Sequence, residues 1–289
     1  MGDQIWAAAD QRSRGFLIGA TAGRTTLGGE GLQHQDGSSH LMAATVPNCR
    51  AWDPAFAGEL AVIIEHGMRE MLEQQRDVFH YITVGNENQL QSVLPEHARD
   101  DLLKGMYRLR PAARLEPDAP RVSLLASGAL LQEALSAADR LAEQYGVAAD
   151  VFSVTSWSEL ARDGMARERS ERLDGTGGHS QVGRMLAHDD DLDASARTAP
   201  IVAASDYVRA VPESIRAFVP VGRPYVTLGT DGFGRSDTRA ALRAFFEVDA
   251  ATIAHAALHA LHRQSKVPGD ALARARAALA GDSLAPWQR

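Results

Sequence analysis

Apolar positions along this chain follow two periods. From Ala55 to Gln75, Phe56, Leu60, Ile63, Ile64, Met68 and Met71 share one face, and acids and bases fill the other, so a helix is expected there. Asp53-Pro54 gives its start signal. Phe16-Leu17-Ile18-Gly19-Ala20 reads as a short buried strand, and Val78 to Val84, aromatic and β-branched, as another. Past residue 120 the two patterns alternate. Strands are expected at 122–126, 151–154, 201–204 and 225–228. Helices are expected at 129–145, 157–162, 211–218, 238–246, 250–262 and 268–280. Alternation of this kind implies an α/β fold, a largely parallel sheet with helices on both faces.

Three stretches break the pattern. Gly28 to His40 is polar and glycine-rich, and a loop of that length in a compact domain is usually functional or disordered. Residues 95–120 carry Pro95, Pro111, Pro117 and Pro120 among mixed charges and read as a linker, which places a division near Ala119. Residues 172–199 are polar and rich in Gly and Asp, a surface excursion.

Composition narrows the function classes. At 289 residues the chain has room for one large or two ordinary domains. A net charge of −7 repels phosphate backbones and argues against general nucleic-acid binding. Apolar runs fall short of the roughly 18 residues a membrane helix needs. The single cysteine, Cys49, excludes an internal disulfide; with no signal-peptide pattern at the start, a cytoplasmic setting is expected.

The loop "GEGLQHQDGSSH" (Gly29 to His40) concentrates the candidate chemistry. Glu30 and His34 both exchange protons, histidine near neutral pH without tuning, and Gln33 and the glycine amides donate hydrogen bonds to a developing anion. On residues alone it is either such a site or a polar turn whose histidines are solvated or held by Asp36. Asn86-Glu87-Asn88, also after a strand end, is either a ligand-binding run or a self-bonded turn. His255, His259 and His262 share a helix face, but no glutamate stands between the first two as a zinc protease requires, and a surface stripe is the simpler reading. Cys49 reads as a small buried hydrophobe. The turn Gly229 to Asp237 has no nucleotide-binding motif, and Asp237 suits a helix N-cap.

Taken together, "GATAGRTTLGGEGLQHQDGSSH" (Gly19 to His40), "WDPAFAGELAVIIEHGMREM" (Trp52 to Met71), "YITVGNEN" (Tyr81 to Asn88), "LLKGMYRL" (Leu102 to Leu109), "DVFSVTSWSELARDG" (Asp150 to Gly164) and "GTDGFGRSDTRAALRAFFEVDA" (Gly229 to Ala250) resemble the homodimeric bacterial pyruvate dehydrogenase. That is the thiamine-diphosphate-dependent, acetyl-transferring first component of the pyruvate dehydrogenase complex. The resemblance implies a transketolase-like architecture: residues 1–119 as the latter part of a middle, pyrimidine-binding domain, and 120–289 as a C-terminal α/β domain. It implies oxidative decarboxylation of pyruvate with acetyl transfer to lipoamide, with thiamine diphosphate and Mg2+ as cofactors.

The same resemblance implies residue roles. His34 matches the family's active-site histidine and Glu30 the acid four residues before it, both catalytic; Gln33, His40 and Glu87 fall at substrate-binding positions. Ser38 stands where the family usually has histidine, Gln89 replaces the tyrosine of an "NENY" stretch, and the region from Gly175 to Asp193 departs from the pattern. The family's diphosphate motif, Gly-Asp-Gly followed about thirty residues later by asparagines, has no counterpart here, since asparagine occurs only at Asn48, Asn86 and Asn88. The glutamate that bonds the aminopyrimidine also falls outside the matched segments. The expected partners are therefore a diphosphate-binding region on another chain, in a homo- or hetero-oligomer, and dihydrolipoyl acetyltransferase, with no nucleic acid and no membrane. No turnover is expected of the chain alone. The competing expectation is a non-catalytic assembly or regulatory paralogue of the complex.

Overall fold

The computed structural model describes residues 2–20, 22–29, 32–113, 115, 116, 118–187, 197–279 and 284–289. Helix α1 (Gly2–Asp10) precedes strand β1 (Phe16–Ala20), helix α2 (Ser39–Thr45) and strand β2 (Cys49–Trp52). Helix α3 (Ala57–Met68) follows and runs on into a π-helical turn at Arg69–Glu73. Strand β3 (Phe79–Val84), helix α4 (Arg99–Leu103) and strand β4 (Met106–Arg110) complete this stretch. Then come β5 (Arg121–Ala126), α5 (Leu131–Tyr145), β6 (Ala148–Val154), α6 (Trp157–Asp174), α7 (Gln181–Leu186) and β7 (Ile201–Ala204). The last elements are α8 (Ala210–Glu213), β8 (Tyr225–Leu228), α9 (Arg239–Phe245), α10 (Ala250–Arg263) and α11 (Gly269–Ala277).

Two sheets result. The first is parallel, in the order β1-β3-β2, with Ile18 opposite Ile82 and Trp52 opposite the same residue from the other side. Its strands alternate between two cores. Trp52 and Ile82 pack with Val62 and Ile63 of α3, while Cys49 and Phe79 pack with Ala9 of α1. The second sheet runs β4-β6-β5-β7-β8, parallel except for β4. In β5, Val122, Leu124 and Ala126 face α5 and α10, and Leu125 faces the α6 side. Helices thus cover both faces, and β6, an interior strand between β4 and β5, is buried along its whole length.

Several expectations are corrected. β1 is not a buried strand: it is an edge, with Leu17 41% and Ile18 52% exposed. The 95–120 segment is not a linker throughout, because it contains α4 and β4, and β4 edges the second sheet from ahead of residue 119. α6 runs twelve residues beyond the expected 162, and part of the 172–199 excursion is α7, whose Val182 and Leu186 are buried. Residues 188–196 lie outside the described residues. Helix α9 is capped by Thr238, which accepts the N–H of Ala241 at 3.3 Å, and not by Asp237, which bonds the N–H of Thr238.

The two sheets are tied to each other through backbone and buried side chains. Asp53 donates its N–H to Thr155 O at 2.8 Å, and Ser156 Oγ donates to Ala51 O at 2.6 Å. Arg162 of α6 reaches back to Cys49 O and Val46 O at 2.6 and 2.9 Å.

Candidate active site

Strands β1, β2 and β3 are parallel, so their carboxyl ends open on the same edge, where open α/β sheets take their ligands. Ala22 and Thr26 follow β1, Asp53 follows β2, and Thr83, Gly85 and Glu87 sit at and beyond the end of β3. Gly128 beyond β5, and Asp206 and Tyr207 beyond β7, come from the second sheet. All of these line one cavity of about 210 Å³.

A buried chain of polar contacts backs this cavity. Asp53 accepts the hydroxyls of Thr83 and Ser127, each at 2.7 Å, and Trp157 Nε1 donates to Ser127 Oγ at 3.1 Å. Gly128, at φ +49, approaches Asp53 so closely that a Cβ would stand 2.6 Å from its carboxylate, which only glycine avoids. His40 Nε2 lies 3.0 Å from Thr83 Oγ1. Because the Thr83 hydroxyl gives its one proton to Asp53, His40 must donate from Nε2. Burial pulls the His40 pKa below its ordinary value, and its ring meets Tyr207 edge-on at 4.5 Å.

Asp206 is the second buried carboxyl on the cavity wall. Burial pushes it up to about 7, against the opposing pull of its hydrogen bonds from Thr25 and the charge of Arg243. Arg243 of α9 bonds Glu87 through both its terminal nitrogens and Glu133 at 3.0 Å. Next to it, Arg239 donates to Asn86 Oδ1 at 3.2 Å. The Asn86-Glu87 run is therefore bonded across to α9 and is not a self-bonded turn. Gln89 also lines the cavity, and its Oε1 is buried without a hydrogen-bond partner.

The sequence-predicted residues distribute unevenly over this geometry. Glu87 lines the cavity, paired with Arg243. His34 and Gln33 lie on the 3-10 turn Leu32–His34, both exposed and outside the cavity lining. Glu30 lies outside the described residues. His40 is buried and faces a smaller cavity of about 100 Å³ between α2, α6 and α8. Asp36 binds the N–H groups of Ser38 and Ser39 at 3.0 Å and so starts α2 without holding either histidine. Cys49 is buried, and burial pushes its thiol up to about 12. His255 and His259 stack at 6.5 Å, and His262 is bonded to Val267 O; among the described residues no group of three or more His, Cys, Asp or Glu is placed to hold a metal ion.

Asp53, Asp206 and Arg243 were missed from sequence. Position gave a signal for one of them: Asp206 lies two residues past the strand expected at 201–204, whereas no strand was expected ahead of Asp53 and Arg243 lies within a helix. The cavity wall also bears on the implied cofactor. Asp53, Glu87 and Asp206 line it, and no arginine or lysine does. A diphosphate placed there would meet carboxylates and no cation, so this wall does not fit the phosphate groups of thiamine diphosphate.

The matches to known proteins follow the same division. Residues 1–92 match the pyruvate dehydrogenase E1 component middle domain, and residues 105–249 match the transketolase-like C-terminal domain. Transketolase from Leishmania mexicana superposes on 90% of this chain with a TM-score of 0.65 at 14% identity, using 32% of its own length. These define the class: a transketolase-type pair of α/β units. Within that class, the pyruvate dehydrogenase E1 component of Pseudomonas aeruginosa is 48% identical over 275 residues, 95% of this chain and 30% of that protein. That of Mycolicibacterium smegmatis is 50% identical over 278 residues, 95% of this chain and 29% of that protein. The chain belongs to the pyruvate dehydrogenase E1 family and corresponds to its C-terminal portion. It spans about 30% of the length of the curated relatives it matches.

Proposed function

We propose that this chain furnishes the proton-transferring loop and the substrate-side wall of a thiamine-diphosphate-dependent pyruvate dehydrogenase. The reaction is oxidative decarboxylation of pyruvate with acetyl transfer to the lipoyl group of dihydrolipoyl acetyltransferase, in the cytoplasm. His34 and Glu30 are the catalytic pair; Gln33, His40 and Glu87 serve the substrate side, His40 from its buried contact with Thr83. The observation that carries this reading is identity near one half over 95% of the chain. Exposure of His34 supports it, because an imidazole left open to solvent is free to meet a second protein surface.

Thiamine diphosphate supplies the carbon nucleophile and electron sink when bound. The diphosphate needs the family's remaining region, since no arginine or lysine lines the cavity on this chain. The whole assembly is the active unit, and this chain alone turns over no pyruvate.

The test is a His34→Ala variant in an assembly with the complementary region of a relative, supplied with thiamine diphosphate and Mg2+. Loss of a positioned acid-base group lowers kcat roughly 10²–10⁴-fold. An unchanged kcat contradicts the assignment and favours the non-catalytic assembly role.

A further inference from the structure

The described flanks of the His34 loop are both fastened to the C-terminal unit. Upstream, the Asp206 carboxyl accepts the backbone N–H of Thr25 with both oxygens at 3.1 Å, and its backbone carbonyl accepts the N–H of Arg24 at 3.3 Å. Gly23 passes at φ +92, where a Cβ would collide with the same carboxyl, so the approach depends on glycine. Downstream, Gln35 is buried. Its Oε1 accepts the N–H of Arg235 at 2.6 Å, and its Nε2 donates to Arg235 O at 2.5 Å and Leu27 O at 2.9 Å. The chain between these clasps carries His34.

We propose that Asp206 and Gln35 are positioning residues: they clasp the two flanks of the loop to the C-terminal unit and so set where His34 stands. The significance for catalysis rests on the reading of His34 given above; the clasp itself is a property of this chain alone. It gives the C-terminal unit, which carries none of the expected catalytic pair, a part in the reaction through backbone geometry.

The upstream clasp is also sensitive to pH. The groups facing Asp206 are Arg243 from α9, Arg24 from the loop itself and Asp53 from the end of β2. Burial, helped by the charge of Asp53, pushes the Asp206 carboxyl up to about 7 from 3.8 in solvent, against the pull of the Thr25 hydrogen bonds and of Arg243. The closed clasp therefore holds a proton that the opened, solvated one releases. Its stability is full below the solvent value and is lost as pH rises through about 7.

Amide hydrogen exchange on the whole chain tests this, read at residues 23–29 and 32–37 from about pH 5.5 to about 8.5 and corrected for intrinsic rates. Wild-type protection at 23–29 should weaken above about pH 7. Asp206→Asn keeps an acceptor for Thr25 without the titrating charge, so its protection should stay closed and flat with pH. Asp206→Ala should exchange roughly tenfold faster at 23–29, and Gln35→Ala likewise at 32–37, each having lost a buried hydrogen-bonding group. Unchanged exchange in β5 and β6 shows that the variant is folded. If Asp206→Ala loses protection there too, Asp206→Asn and Gln35→Ala decide. Wild-type protection at 32–37 in Gln35→Ala, or a pH dependence that survives in Asp206→Asn, overturns the proposal. Failure of His34→Ala to lower kcat would refute the functional reading while leaving the clasp standing.

Discussion

Glu70 belongs to the π-helical turn at the end of α3, with its side chain buried. Arg50 lies at 3.1 Å, Arg76 at 2.6 Å and the His66 imidazole at 3.2 Å. Trp52 donates to His80 Nδ1 at 3.0 Å, and His80 Nε2 lies 3.5 Å from Glu70 without a hydrogen bond to it. Burial pushes the Glu70 carboxyl up, but the nearby His66 and His80 rings and the charge of Arg50 outweigh it and hold the pKa well below 4.5. The folded state thus binds this proton more weakly than the unfolded chain does. The stability it contributes is present above 4.5 and is lost as pH falls through the lowered folded value. Glu70→Gln should cost about 3 kcal/mol at pH 7, leaving buried donors poorly matched, and should flatten the acid limb of stability below 4.5. Urea unfolding across pH checks this; an acid limb identical to wild type would contradict it. At this scale the sequence is legible where chemistry is dense. Gln33, His34 and Glu30 stand together in one polar loop, and any reading finds them. Asp206 and Thr25 are 181 residues apart in sequence, and a lone acid after a strand resembles any turn residue until the fold brings it to its partner.

Glu59 shows how the elements are joined. From α3 it accepts the N–H groups of Ala55 and Phe56 at 2.6 and 3.1 Å, closing the helix start. It also accepts the Tyr107 hydroxyl of β4 at 2.8 Å and the Ser153 hydroxyl of β6 at 2.5 Å. One side chain therefore caps a helix of the first unit and binds two strands of the second sheet. Glu59→Ala leaves four donors without their acceptor, three of them buried, and should destabilise by about 3–5 kcal/mol, measured as a fall in the urea midpoint with an unchanged slope. A loss under about 1 kcal/mol would show that water replaces the carboxylate. Element types were readable wherever one period ran long, as in α3, α5 and α10. α6 was read short because the periodic apolar pattern fades after Leu160 into charged residues that face solvent. β4 was hidden between prolines: it is five residues long and an edge strand, with only Met106 and Tyr107 buried. β1 resembles a buried strand in sequence because five apolar residues give no sign of which side lies open.

At the scale of the whole molecule, two α/β units share one site edge. The first sheet offers the carboxyl ends of β1, β2 and β3, and the second contributes Gly128, Asp206 and Tyr207 to the same cavity. The C-terminal unit also grips both polar runs of the first, the loop through Asp206 and Gln35 and the Asn86-Glu87 run through Arg239 and Arg243. No helix among the described residues is long and apolar enough to cross a membrane. The cavity is acidic where the cofactor's diphosphate would need positive charge, and the chain matches about 30% of its relatives' length. The proposed activity therefore also requires the family's remaining region. The most direct measurement is pyruvate turnover, with thiamine diphosphate, Mg2+ and a lipoyl acceptor. It compares this chain alone with the chain after addition of the region of the Pseudomonas aeruginosa relative that it does not match, and runs that region with its own C-terminal portion as the positive control. No turnover is expected of the chain alone, and turnover is expected on mixing. Turnover by the chain alone, or none on mixing when the control is active, would contradict this.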